Sequence, residues 1–176
     1  MQIRQSTAMT DAMQDAINEQ IQAEFESAYL YLALSARMEA LNLRGFARWL
    51  RLQWEEETRH ALKFYDFMLQ RDATVVLNAL AQPVSTVETP LEAFELALQH
   101  EQYITRRIND LYALAVQEHD YASQALLQWF VNEQLEEEAA ARDITDNLRL
   151  IGDSGASLFL LDRELGQRQA EPGPAA

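Results

Sequence analysis

A chain of 176 residues is long enough for one domain with a full core, and five glycines, four prolines and abundant Ala, Leu, Glu and Gln favour helix. The absence of cysteine excludes disulfides, thiolate zinc sites, Cys-ligated iron–sulfur clusters and cysteine nucleophiles, which leaves oxygen and nitrogen ligands for any metal. A formal charge of −14, from 28 acidic and 14 basic residues, disfavours a nucleic-acid partner and sets up a field that attracts cations, although an acidic surface also serves ordinary solubility.

Met1 to Ala16 is polar, with no basic stretch leading into an apolar run, and no stretch is long enough to cross a bilayer. A soluble, cytoplasmic protein without a membrane partner is expected. Apolar residues recur at helical spacing in four long segments, Thr10 to Ala40, Asn42 to Gln70, Pro90 to Glu118 and Tyr121 to Ile151. Thr89, Pro90 and Glu92 form a capping-box start for the third, and Asp120 can cap the fourth. Only a few residues join the first segment to the second and the third to the fourth, so each pair is an antiparallel hairpin. Between them, Arg71 to Thr89 lacks amphipathic pattern and contains Pro83. At ~3.3 Å per residue it can run the ~42 Å of such a helix, which makes it a crossover and leaves the second and third segments parallel.

After Gly152 and Gly155, Ser157 to Leu165 forms a short fifth segment whose Leu158, Phe159, Leu160 and Leu161 need a protein surface to cover them. That surface is either the chain's own bundle or a contact between chains. Gln167 to Ala176, ending Glu-Pro-Gly-Pro-Ala-Ala, reads as a disordered tail, so the domain spans residues 1–166. The fold class is all-α, a four-helix bundle with a long crossover and a short fifth helix.

Polar residues interrupt each apolar stripe. Glu57 lies within about 60° of Phe46, Leu50, Trp54, Ala61, Phe64 and Met68 on the helical wheel, with His60 beside it. Met13, Ile17, Ala28, Tyr31 and Ser35 bracket Glu24, and Phe94, Ala97, Ile104, Ile108 and Tyr112 bracket Glu101. The fourth stripe contains Gln134 and Glu137. Glu24, Glu57, Glu101 and Gln134 each lie near mid-helix, so four helices bring them to one level. Glu57 follows Glu24 by 33 positions and Gln134 follows Glu101 by 33, each second member opening an i, i+3 pair with His60 or Glu137. Two similar hairpins related by a pseudo-twofold axis are expected.

A single Glu on an apolar face is usually a locally paired or snorkelling residue. Four buried together, Glu24, Glu57, Glu101 and Glu137, demand cations or protons, since a buried unpaired carboxylate costs several kcal/mol (~). No Lys or Arg lies on the stripes at that height. Four carboxylates and one imidazole suit two divalent ions with one carboxylate bridging, a set better matched to iron or manganese than to structural zinc.

On these residues, and on Asn18-Glu-Gln, Gln128-Trp-Phe-Val-Asn-Glu-Gln-Leu-Glu-Glu-Glu and Leu161-Asp-Arg-Glu-Leu, the chain resembles the bacterial non-haem ferritins over nearly its whole length. The resemblance implies a ferritin-like bundle in which Glu24, Glu57 and His60 hold one iron and Glu57, Glu101 and Glu137 the second. Gln134 would lie beside the second iron and Tyr31 next to the site, able to donate a hydrogen bond or an electron. Glu56, Glu133 and Glu136, with Glu137, match a third, outer iron site. The two irons would be oxidised by O2 or H2O2, a ferroxidase activity, and the product stored as ferric mineral in a homo-oligomeric shell of twenty-four chains. Haem is not expected, because Thr58 rather than Met follows Glu57 and the second motif is Gln134-x-x-Glu137. Two other readings remain at this stage: a di-iron or di-manganese oxidase or peroxidase without storage, and a helical interaction module with protonated or paired carboxylates.

Overall fold

The computed structural model describes residues 8–83 and 86–170. Among them five helices follow one another: α1 (Asp11–Ala40), α2 (Arg44–Gln70), α3 (Pro90–Gln117), α4 (Tyr121–Ile151) and α5 (Gly155–Leu165). No helix among these residues is long and apolar enough to cross a membrane.

The helix ends follow local chemistry. Thr10 caps α1 by accepting from the Met13 amide, and Asp120 caps α4 by accepting from the Ser123 amide. Thr89 and Glu92 complete the expected capping box on α3, with Pro90 in the first turn. Asn42, Asp72 and His119 all take positive φ, 59°, 54° and 55°, at the points where the chain leaves α1, α2 and α3. Asn and Asp accept the left-handed region most readily of the residues with a Cβ, and His more readily than most.

The crossover is held by a polar ladder on α1. Gln14 accepts from the Thr74 amide, Asn18 grips the Thr74 carbonyl at 2.9 Å and the Val76 amide at 2.8 Å, and Gln22 donates to the Ala79 carbonyl. Glu26 accepts from the Ala81 amide and Arg37 donates to the Val87 carbonyl. The first four of these α1 residues are spaced every fourth position, one stripe of the helix surface. The segment therefore runs alongside α1 in the same direction, which leaves α2 and α3 parallel as the sequence predicts.

The core divides in two. One apolar cluster gathers Tyr31, Leu34, Met38, Phe46, Trp49, Leu50 and Phe94; the other gathers Met13, Ile17, Ile21, Phe64, Met68, Ile108, Leu127 and Phe130. Between them lies a layer of polar side chains.

The short α5 folds back on its own bundle. Leu161 is buried in the first cluster, and Asp162 Oδ1 accepts from the backbone amides of Gly45 and Phe46. Phe159 and Leu160 on the other side remain 60% and 64% exposed. Within the stretch expected to be a tail, Arg168 makes specific contacts with the bundle. Its guanidinium binds Gln53 and Glu56 and lies 4.8 Å from the Trp49 ring centroid. The remainder of the expected tail, residues 171–176, lies outside the described residues.

Candidate metal centre

The polar layer is built by side chains that each helix must turn inward because their apolar neighbours do. Glu57 shares its face of α2 with Leu50, Ala61 and Phe64, all fully buried, so its carboxylate enters the core with them. Glu24, Glu57 and Glu101 are each 1% exposed, and Glu137 and His60 are also buried.

Three groups among the described residues bring one ligand atom per residue to within 4.8 Å of one another: Glu24, Glu57 and His60; Glu57, Glu101 and Glu137; and His60, Glu133 and Glu137. The first two share Glu57. The third adds the half-buried Glu133 on the outer side of His60. The imidazole sits between these groups, with Nδ1 3.5 Å from Glu57 and Nε2 3.8 Å from Glu133. Edge contacts with the Trp129 and Phe130 rings fix its plane. Burial, helped by the positive charges of Arg59 and Lys63, presses its pKa down to about 3, so the ring is neutral and keeps a lone pair for a metal.

Hydrogen bonds satisfy only part of the carboxylate layer. Gln20 donates to Glu24 Oε1 at 2.7 Å, and Gln53 donates to Glu137 Oε2 at 2.7 Å. Each amide is backed by an arginine, Arg107 on Gln20 and Arg168 on Gln53. The buried Tyr31 hydroxyl donates to Glu101 Oε1 at 2.5 Å. Gln134 turns its amide nitrogen toward the Glu101 carboxylate at 3.2 Å and the Glu101 carbonyl at 3.3 Å, and so presents a donor rather than a metal-binding oxygen. Glu24 Oε2 and Glu57 Oε1 are buried with no hydrogen-bond partner. They point to where a cation belongs, and the oxygen-rich donor set with one neutral imidazole fits a hard or borderline divalent ion.

Without a cation the layer must hold protons. Burial raises Glu24 to about 7 and pushes Glu57 and Glu137 well above the ordinary carboxylate range, with Glu101 adding repulsion at all three. Glu101 is raised as well, mainly by burial. The Tyr31 phenol is driven up by burial and by the Glu101 charge, so it stays a donor.

The structure thus brings together Glu24, Glu57, His60, Glu101 and Glu137, with Tyr31 and Gln134 against Glu101. The outer residues are more dispersed. Glu133 joins His60 and Glu137, Glu136 is exposed and joins none of the three groups, and Glu56 is bound by Arg168 at 2.7 Å. Glu138 pairs with Arg142. His100 bonds the Ser27 hydroxyl at 2.6 Å and His119 forms a turn, which are structural roles. Sequence reasoning missed Gln20, Gln53, Arg107 and Arg168. A signal for the two glutamines was present, because Gln53 follows Gln20 by the same 33 positions that separate Glu57 from Glu24.

Comparison with known proteins agrees with this architecture. Residues 14–151 match the model of the ferritin-like domain. The chain is 38% identical over 160 residues to the bacterial non-heme ferritin of Bacteroides fragilis, covering 91% of this chain and 99% of that protein. It is 38% identical over 147 residues to the bacterial non-heme ferritin of Campylobacter jejuni, covering 84% and 88%. Among solved structures, the open-pore ferritin of the hyperthermophilic archaeon Archaeoglobus fulgidus superposes with a TM-score of 0.91 at 45% identity, covering 93% of this chain and 100% of that one.

Proposed function

The chain belongs to the ferritin family, and on that premise we propose that it is an iron-storage protein whose buried carboxylate layer oxidises Fe(II) before the product is mineralised. The observation that carries this reading is the pair of ligand groups sharing Glu57, each sealed inside the bundle, with Glu24 and Glu57 oxygens left without partners.

Iron is the substrate. Glu24, Glu57 and His60 receive one ferrous ion, Glu57, Glu101 and Glu137 the other, and Glu57 bridges them. Two ferrous ions held side by side supply two electrons together, enough to reduce O2 to H2O2 or H2O2 to water. The protons carried by the metal-free carboxylates leave as the ions bind, so incoming positive charge replaces protons rather than adding to them. Tyr31 and Gln134 hold Glu101 in place through hydrogen bonds, and Tyr31 is also near enough to the layer to donate an electron. Glu133, joined to both His60 and Glu137, is the first oxygen ligand on the path by which ferric product leaves the buried layer for the shell interior, and Glu136 and Glu56 are the further relay ligands.

Storage requires a cavity larger than one bundle. We assign that cavity to a homo-oligomeric shell of twenty-four chains, a reading supported by the exposed Phe159 and Leu160 on α5 and by the likeness to the open-pore ferritin. Sedimentation of the protein before and after aerobic addition of Fe(II) tests it. A particle of roughly twenty-four times the 20.2 kDa chain mass that gains density with iron is expected. A monomer or dimer that turns iron over without retaining it would replace storage with a di-iron oxidase or peroxidase.

A further inference from the structure

Arg168 stands beyond the end of α5, yet its guanidinium reaches the edge of the carboxylate layer. One arm, Nη1, donates to Gln53 Oε1, and the Gln53 amide passes that polarity to Glu137 Oε2 at 2.7 Å. The other arm, Nη2, donates to Glu56 Oε2 at 2.7 Å. The guanidinium also stacks near Trp49, and the Arg168 carbonyl accepts from Arg48 Nε at 3.3 Å, so both ends of the residue are held. Glu56 is only 4% exposed, and Arg59 lies 3.8 Å from its Oε1. A carboxylate so buried requires a close positive charge, and Arg168 supplies it.

We propose that Arg168 is a selectivity residue for metal number, a tethered cation seated at Glu56, so that a metal ion gains Glu56 as a ligand only by displacing the segment that follows α5. The inference rests on the reading of the buried layer as a metal centre. A guanidinium keeps its charge across the working pH range, so acidity or alkalinity does not remove the competitor. Being part of the same chain, it competes at an effective concentration on the order of millimolar without dilution. Ions therefore fill the two inner positions around Glu57 first, and the outer position binds more weakly. The same displacement releases Gln53 and loosens Glu137, linking occupancy at the edge to the geometry of the inner pair.

The test uses Zn(II), which binds without redox chemistry, and counts ions held per chain by equilibrium dialysis with elemental analysis. Wild type is expected to hold two tightly. Arg168→Gln is expected to hold a further ion at least tenfold more tightly than wild type does, and that gain is expected to vanish in Arg168→Gln/Glu56→Gln. Equal counts and affinities in wild type and Arg168→Gln, or a gain that survives in the double variant, would overturn the proposal. Amide exchange on wild type alone gives a second readout. Exchange at residues 166–170 is expected to rise as zinc exceeds two per chain, and its constancy while that further zinc binds would also overturn it. If Glu57→Ala binds as much zinc as wild type, the metal-centre reading itself fails, which is a different result from a silent Arg168→Gln.

Discussion

Asp162 caps a helix that lies 117 positions earlier in the chain: its Oδ1 accepts from the Gly45 amide at 2.8 Å, and from the next amide, Phe46, at 3.0 Å. The residue at the start of α2, Leu43, offers no side-chain oxygen, so the carboxylate of α5 does the work of an N-cap and places a negative charge at the positive end of α2. The contact requires glycine, because a Cβ at position 45 would lie 1.5 Å from the Asp162 carbonyl oxygen.

Gly45→Ala is therefore expected to push α5 off the bundle, seen as rapid proteolysis or amide exchange across residues 155–165. Asp162→Ala leaves room for α5 and removes only the cap, costing about 1 kcal/mol in denaturant unfolding. Equal exchange in Gly45→Ala and wild type would contradict the docking.

The crossover depends on Asn18, which satisfies both the Thr74 carbonyl and the Val76 amide. Asn18→Ala is expected to cost ~1–3 kcal/mol and to raise amide exchange at residues 74–81 while α3 stays protected. A change spread evenly over the bundle would mean that the ladder on α1 is incidental.

Stability of the metal-free protein is expected to fall with rising pH. Glu57 stays protonated in the folded chain well above its ordinary value of 4.5. Below that value folded and unfolded chains are both protonated; above it only the unfolded chain ionises, so each step up in pH favours unfolding. Glu24 acts in the same sense from 4.5 to about 7, whereas His60, neutral when folded, acts oppositely between about 3 and 6.5. Glu57→Gln deletes the Glu57 part alone. Its metal-free Tm is expected to exceed that of wild type at pH 8, with the gap closing near pH 4.5. A gap independent of pH would show that Glu57 is ionised without metal.

Gln20 and Gln53 hold Glu24 and Glu137 in place. Gln20→Ala and Gln53→Ala are each expected to weaken Co(II) binding by ~10–100-fold with helical content unchanged. Unaltered affinity in both would reduce the two amides to packing.

Much of this was legible from sequence. Helix boundaries lay within one or two residues of those found, because caps at Thr89 and Asp120 and uninterrupted apolar stripes are local signals. Glu24, Glu57, Glu101 and Glu137 stood out because a carboxylate contradicts an apolar face. Gln20 and Gln53 did not, since an amide on a helix contradicts nothing, although their spacing repeated that of Glu24 and Glu57. Arg168 was hidden by its neighbours: a Gly, Pro and Ala-rich ending suggests a loose chain, and a contact with Glu56 112 positions away leaves no periodic trace.

The most direct measurement of the central claim is stopped-flow absorbance after apoprotein, loaded anaerobically with two Fe(II) per chain, is mixed with O2, beside a Glu57→Ala control. A fast ferric phase that saturates at two irons per chain and slows by roughly a hundredfold in the control is the predicted result. The same slow oxidation in both proteins would contradict it and leave the buried carboxylates a structural feature of the bundle.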